Sequence, residues 1–392
     1  MKIVDTFPKG GNAASSVQQN EKLQKGRLRS IDCLRGAAAV AVLLCHAVKF
    51  AARPPNEAVV YFFKKLITEG RLGVPLFFVI SGFCIHLRWT RRFSISGKET
   101  LDYLVFWKRR FFRLYPTYFV ALCISMAMVG AAYFMGLQRA MLDEYAEPKI
   151  RSIIMDFITH VFMLHGFFPA FDHAGGNTAL WTLAREEYFY LMYCVLLPVR
   201  RYFGLVRSLA AVSTLGVVFP FVMQFVISRQ SIYWNVINTS ALVLWIQWCL
   251  GMASVESYYG LIHLPQWCRW IWVVPIWAAL AYASSTYFPA LEPLMWGMTF
   301  FTLVNWAVRL ESNGEWFDSR GSRWLSSVGI FSYSLYLIHV PARAAMRYML
   351  GSIGEQPSVF GYFWGVAVIS AASYFVAKVF FALIERRFIA EK

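Results

Sequence analysis

Apolar runs close to twenty residues long recur along this chain from Ile31 to Leu383, and each is continuous rather than alternating. No other feature limits the possible folds as strongly. A helix needs about twenty apolar residues to cross the hydrocarbon core of a bilayer, whereas a barrel strand would alternate apolar and polar positions. The composition agrees: 58% of residues are hydrophobic, 18% aromatic and only 15% charged, against about a quarter charged in soluble domains. The expected fold is therefore an all-α integral membrane protein of about ten transmembrane helices. The formal net charge of +16 would suggest nucleic-acid binding in a soluble protein. Here the basic residues cluster between apolar runs, as cytoplasmic charge retention requires.

Ten spans are expected, at 32–51, 72–89, 112–136, 179–198, 207–228, 233–253, 269–288, 290–308, 325–345 and 358–384. Four basic segments orient them. These are the polar tail 1–30, the stretch Arg88 to Arg113, the cluster Arg200, Arg201 and Arg207, and the end with Arg386, Arg387 and Lys392. All four fall on one side, which places both termini in the cytoplasm. The first outer loop, with Arg53, Lys64, Lys65 and Arg71, runs against this bias. The segment 152–168 is apolar but carries His160 and His165, and a crossing there would move Arg200 to Arg207 outside. It is read as an interfacial or re-entrant piece of a long outer loop, 137–178. The domain plan is thus a polar tail, 1–30, and one membrane domain, 31–388, with no fused soluble domain. The seven cysteines include no CxxC pair, and no disulfide framework or metal site is expected.

Within such helices, ionisable side chains are costly and usually face the protein interior. Arg35 opens the first span, and His46 follows eleven residues later. Eleven residues rise roughly 16 Å and turn the helix about three times, so both side chains share one face. Glu186 lies about 10 Å into the fourth span, and His339 falls in the outer third of the ninth. Ser332, Tyr336 and His339 lie on one face of that ninth helix. His46, Glu186 and His339 are therefore expected at one depth. Each has an ordinary explanation taken singly: a packing histidine, a snorkelling arginine, a paired carboxylate. Convergence of three at one depth favours a site. Trp181 and Tyr336 are candidates for contact with its substrate, although most aromatics here serve packing or the interfacial belts.

The stretch WKRRFFRLYP, Trp107 to Pro116, places Arg110 and Arg113 three apart on one helix face. Guanidinium forks match phosphate oxygens, which makes these two a candidate anchor for a phosphorylated cytosolic ligand. Plain charge retention is the simpler explanation of both and, from spacing alone, the favoured one.

Five segments in order resemble one family, the membrane acyltransferase-3 proteins, bacterial enzymes that acylate surface sugars. IDCLRGAAAVAVLLCH is similar to the family's first-helix motif, an Arg and a His separated by ten residues. GVPLFFVISGF resembles its second-helix signature, and RRFFRLYP carries its Arg-x-x-Arg element as Arg110 and Arg113. LWTLAREEYFYL and FSYSLYLIHVP resemble its Trp-Ser-Leu…Glu-Glu and Ser-x-x-Leu-Tyr-Leu-x-His segments. The likeness runs from about Arg29 to Pro341. Pro75 stands where an acidic residue is common, Thr182 replaces a Ser, and Arg185 replaces an apolar residue just before Glu186.

The resemblance implies acyl transfer from cytosolic acyl-CoA, acetyl-CoA above all, to a hydroxyl of a surface polysaccharide, lipopolysaccharide or other glycan at the bacterial inner membrane. On that basis Arg35, Arg110 and Arg113 hold the donor phosphates. His46 is the general base, or a transient acyl-histidine. Glu186 orients the His46 imidazole as a carboxylate partner does in other acyl transfer, and His339 and Tyr336 orient the sugar or donate to the oxyanion. Ser81 is read as helix packing beside Gly82. The alternative class is a proton-coupled transporter of a sugar or lipid-linked glycan, since intramembrane His and Glu also serve proton relays. No inverted repeat supports it.

Overall fold

The computed structural model describes residues 27–50, 57–97, 101–135, 150–171, 176–315, 318–350 and 358–389. The tail 1–30 lies outside the described residues up to position 26, as do 136–149 and 172–175 of the expected outer loop.

Among the described residues every regular element is helical. In chain order the helices are α1 (Arg29–Phe50), α2 (Ala58–Thr68), α3 (Gly73–Ser96), α4 (Tyr103–Phe134), α5 (Ile150–Val161), α6 (Trp181–Phe203), α7 (Leu205–Met223), α8 (Ile232–Asn238), α9 (Ala241–Tyr258), α10 (Val273–Tyr287), α11 (Glu292–Ser312), α12 (Arg320–Ile330), α13 (Ser332–Leu350), α14 (Val359–Phe380) and α15 (Arg386–Ile389). Helices are forced on such a chain because lipid offers no partner for an unpaired peptide group. Local chemistry sets their ends. Asp102 caps α4 by accepting from the Val105 N–H at 3.0 Å, and Ser319 and Ser322 form a reciprocal capping box on α12.

Six helical segments are long and apolar enough to cross a membrane, or seven if the bent pair α12–α13 counts as one span. The protein is thus a multi-pass membrane protein. Helices also occupy the other expected positions. Helices α6 and α11 are long, at 23 and 21 residues, but are not among the six. Helix α10 has only 15 residues. The expected continuous ninth span is instead broken near Phe331, where α12 and α13 meet at 77°. The segment read as interfacial or re-entrant holds the 12-residue α5, which rises only about 18 Å. It packs on α4, where Tyr115 and Tyr118 donate to the carbonyls of Val161 and His160.

Helix α1 is the hub, packing against α2, α3, α11, α12, α13 and α14. Small residues allow the closest approaches, as expected where lipid removes the usual hydrophobic drive between helices. A Cβ on Gly82 of α3 would lie 1.9 Å from the Trp248 carbonyl oxygen of α9, and one on Gly251 would lie 2.0 Å from that of Val79. This double contact brings Ser81 and Trp248 together. A buried ionic cluster ties the same helices to α6. Glu256 Oε1 accepts from His86 Nε2 at 2.8 Å and from Arg200 Nε at 2.6 Å, and Arg200 Nη2 reaches Oε2 at 2.8 Å. The Arg200 guanidinium lies 4.6 Å from the Trp89 ring centroid. Arg200, a topology signal by sequence, is a packing residue in the fold.

Candidate functional site

Two cavities lie along α1, one at each end of the Arg35–His46 pair. The smaller, about 240 Å³, is lined by Arg35, Ser81, Cys84, Arg110, Arg113 and Glu186, among others. The larger, about 820 Å³, is lined by His46, Arg71, Trp181, Trp296, Tyr336 and Arg343 among its residues. Val74, Phe78 and Tyr336 line both, so a thin wall of side chains separates them. The helix break adds Gly329, Ile330 and Ser332 to the smaller cavity. Irregular backbone at membrane depth is tolerated where it lines a cavity.

His46 lines the larger cavity and meets the buried His339 behind it. Nδ1 of His46 is 2.7 Å from Nε2 of His339, and the rings stack with centroids 4.9 Å apart. His339 Nδ1 lies 2.8 Å from the Tyr336 carbonyl and 3.1 Å from that of Leu335. A carbonyl only accepts, so His339 Nδ1 carries a hydrogen. With both rings neutral, His339 Nε2 must accept and His46 Nδ1 must donate. The lone pair of His46 then resides on Nε2, the arrangement a general base needs. Pro341 supports this geometry from two residues away. It offers no N–H to the Leu337 carbonyl, and Asn177 Nδ2 donates there instead at 2.7 Å. Asn177 Oδ1 also accepts from the Ala179 N–H. One side chain therefore joins the entry to α6 with the histidine helix.

Glu186 is not the partner of His46. Its Oε1 accepts from Ser81 Oγ and Tyr190 OH, each at 2.5 Å, and Trp248 Nε1 donates to Ser81 Oγ at 3.3 Å. The expected convergence of three groups is thus replaced by a histidine pair at one cavity and a carboxylate at the other. The rise per residue places a side chain along the bilayer normal but not around the helix bundle, which is why depth misled. Ser81, read as packing, is part of this network. Arg185 lies away from Glu186: its Nε donates to the Thr239 carbonyl at 2.6 Å, and its guanidinium lies 5.7 Å from the Trp181 ring.

The three arginines singled out by sequence do share the smaller cavity. Arg35 Nη2 donates to Cys84 Sγ at 3.1 Å and lies near Asp32. Arg113 Nη1 pairs at 2.9 Å with Glu385, a fully buried carboxylate that also accepts from the Ser334 N–H and hydroxyl. Arg110 makes no hydrogen bond or salt bridge among the described residues, although it lines the cavity. Trp181 lines the larger cavity, and Tyr336 stands at the shared wall with its hydroxyl 2.8 Å from Thr182 Oγ1. His160 and His165, also noted by sequence, stack at 3.8 Å under α4. Burial, with His160 and Arg185 beside it, pushes His165 down to about 2, so it stays neutral. Among the described residues no group of three or more His, Cys, Asp or Glu is arranged to hold a metal.

Sequence reasoning missed Asn177, Tyr190 and Arg343. Asn177 had a local signal, since an Asn just before a helix is a usual cap. Tyr190 and Arg343 had none beyond their helical phase to Glu186 and His339.

The acyltransferase-3 family model, described as an acyltransferase domain, matches residues 28–381. Among curated relatives, the acyltransferase MdmB of Streptomyces mycarofaciens is 26% identical over 84% of this chain and 82% of its own length. The peptidoglycan O-acetyltransferase OatA of Listeria monocytogenes is 29% identical over 42% of this chain and 23% of its own. No solved structure matches. A family match of that extent, over helices that bring the arginines to one cavity and His46 to the next, makes this chain a member of the acyltransferase-3 family and an acyltransferase.

Proposed function

We propose that the protein moves an acyl group, acetyl in the first instance, from cytosolic acyl-CoA to a hydroxyl of a cell-surface or lipid-linked sugar. The observation that carries this reading is the pair of adjoining cavities, one lined by three arginines and one by His46, which His339 backs. In the ten-span plan, with cytoplasmic termini and loop 137–178 outside, the arginine cavity opens toward the cytosol of a bacterial inner membrane. Arg110, Arg113 and Arg35 hold donor phosphates there through charge-assisted bonds. The pantetheine arm then runs along α1, over a length on the order of the roughly 16 Å rise from Arg35 to His46. Glu186 and Ser81 offer hydrogen-bond partners to its amides on the way.

The thioester reaches the shared wall at Tyr336, and the sugar enters the larger cavity against Trp181. His46 Nε2 takes the acceptor's hydroxyl proton as its oxygen attacks the thioester carbonyl carbon. The carbon–sulfur bond breaks, and the leaving thiolate takes that proton from the imidazolium. The products are a sugar ester and coenzyme A, with no other reactant consumed. His339 holds the tautomer of His46, and Tyr336 donates toward the oxyanion. The test uses purified full-length protein with radiolabelled acetyl-CoA and membrane glycans of the source bacterium. Label should pass to glycan with release of coenzyme A, and His46→Ala should stop it. A transporter would bind no coenzyme A, so calorimetry with coenzyme A separates the two classes.

A further inference from the structure

Resting on the reading of the larger cavity as the acceptor site, we propose that the acceptor saccharide carries an anionic group, carboxylate or phosphate, and that Arg343 binds it. Arg343 follows His339 by four residues on α13 and so lies one turn beyond it on the same face. It is only 5% exposed, and its Nη1 lies 3.5 Å from the His46 carbonyl oxygen. A guanidinium so deeply placed is costly in a membrane protein and marks a functional position by default.

The geometry assigns it to the acceptor rather than to the donor or the oxyanion. The donor arginines line the smaller cavity, which Arg343 does not. The oxyanion must form where the thioester arrives, at the wall shared by both cavities. Tyr336, three residues before His339, lines both; Arg343, on the other side of His339, lines only the larger. Arg71 lines that cavity as well, 53% exposed and 3.4 Å from Glu69. Against these two guanidinium groups the lining holds, among the described residues, one carboxylate, Glu292. A neutral sugar stacked on Trp181 and Trp296 requires hydroxyl partners and no buried cation. A sugar acid or sugar phosphate is matched by a guanidinium fork.

The experiment needs neither donor nor transfer. Full-length protein in detergent is treated with diethyl pyrocarbonate, and modification of the His46 peptide is followed by mass spectrometry. Methyl glucuronide, glucose 6-phosphate and methyl glucoside are compared as protectants. One or both anionic sugars should protect at concentrations at least about tenfold below the glucoside, the tenfold corresponding to about 1.4 kcal/mol. Whichever is preferred identifies carboxylate or phosphate. Arg343→Gln should abolish the preference, whereas Arg110→Gln, which removes a cation from the other cavity, should leave it. If Arg343→Gln is not monodisperse, wild type decides: added sodium chloride should erode protection by the anionic sugar and not by the glucoside. Equal protection by all three, protection by none, or a preference that survives Arg343→Gln or high salt overturns the proposal. Calorimetry with coenzyme A on the same sample reports the donor site separately, so failure there is distinguishable from failure here.

Discussion

His46 Nδ1 and His339 Nε2 lie 2.7 Å apart, and the backbone carbonyls on His339 Nδ1 decide which ring donates. Under the proposed function, the pair makes His46 an oriented base. His46→Gln should lower acyl transfer by about 10²–10⁴-fold, the usual contribution of a general base, while coenzyme A affinity is unchanged. His339→Ala should also reduce transfer without touching donor affinity, but less severely, because His46 keeps its lone pair and loses only its orientation. Transfer assays beside calorimetry check both. A His46→Gln protein with near-normal transfer would shift the base to His339.

Arg110 and Arg113 should separate experimentally although sequence treats them alike. Arg110→Ala removes a phosphate contact worth about 1.5–3 kcal/mol, roughly tenfold to a hundredfold in coenzyme A affinity, with unchanged thermal stability. Arg113→Ala should weaken the donor too and also strand the buried Glu385, at about 1–3 kcal/mol of stability. Adding Glu385→Gln should recover part of that stability and none of the affinity. Thermal unfolding in detergent, alongside calorimetry, reads the two effects.

The Asn177 bond to the Leu337 carbonyl compensates the proton that Pro341 lacks. Asn177→Leu should cost about 1–3 kcal/mol, the penalty of an orphaned buried polar group. Pro341→Ala restores a helical donor to that carbonyl, so it should be more favourable in the Asn177→Leu background than in wild type. A double-mutant cycle on thermal stability measures the coupling. Additive effects would mean that the bond is incidental.

Orientation is open to direct labelling. Cysteines placed at Glu57 and Phe168, both exposed, should react with an impermeant maleimide in intact cells. A cysteine at the exposed Ser96 should react only after lysis. Mass analysis of each substituted peptide keeps the native cysteines from confusing the result. Labelling of the Ser96→Cys protein in intact cells would invert the ten-span plan.

The sequence by itself determined the helical membrane class, because apolar length must match hydrocarbon thickness whatever the helices pack against. It also placed Arg35 and His46 on one face of α1, and Arg110 and Arg113 on one face of α4, because phase within a helix is a local property. What it left undecided was everything set between helices. Only the tertiary structure paired His46 with His339, moved Glu186 to Ser81 and Tyr190, gave Arg113 to Glu385 and brought Arg343 into the cavity that His46 lines. Those choices depend on how each helix is rotated and how closely its neighbours approach. Contacts such as Gly82 on Trp248 set that approach, and the break near Phe331 redirects α13. Depth along a helix is written in residue spacing; azimuth around the bundle appears only once the helices pack.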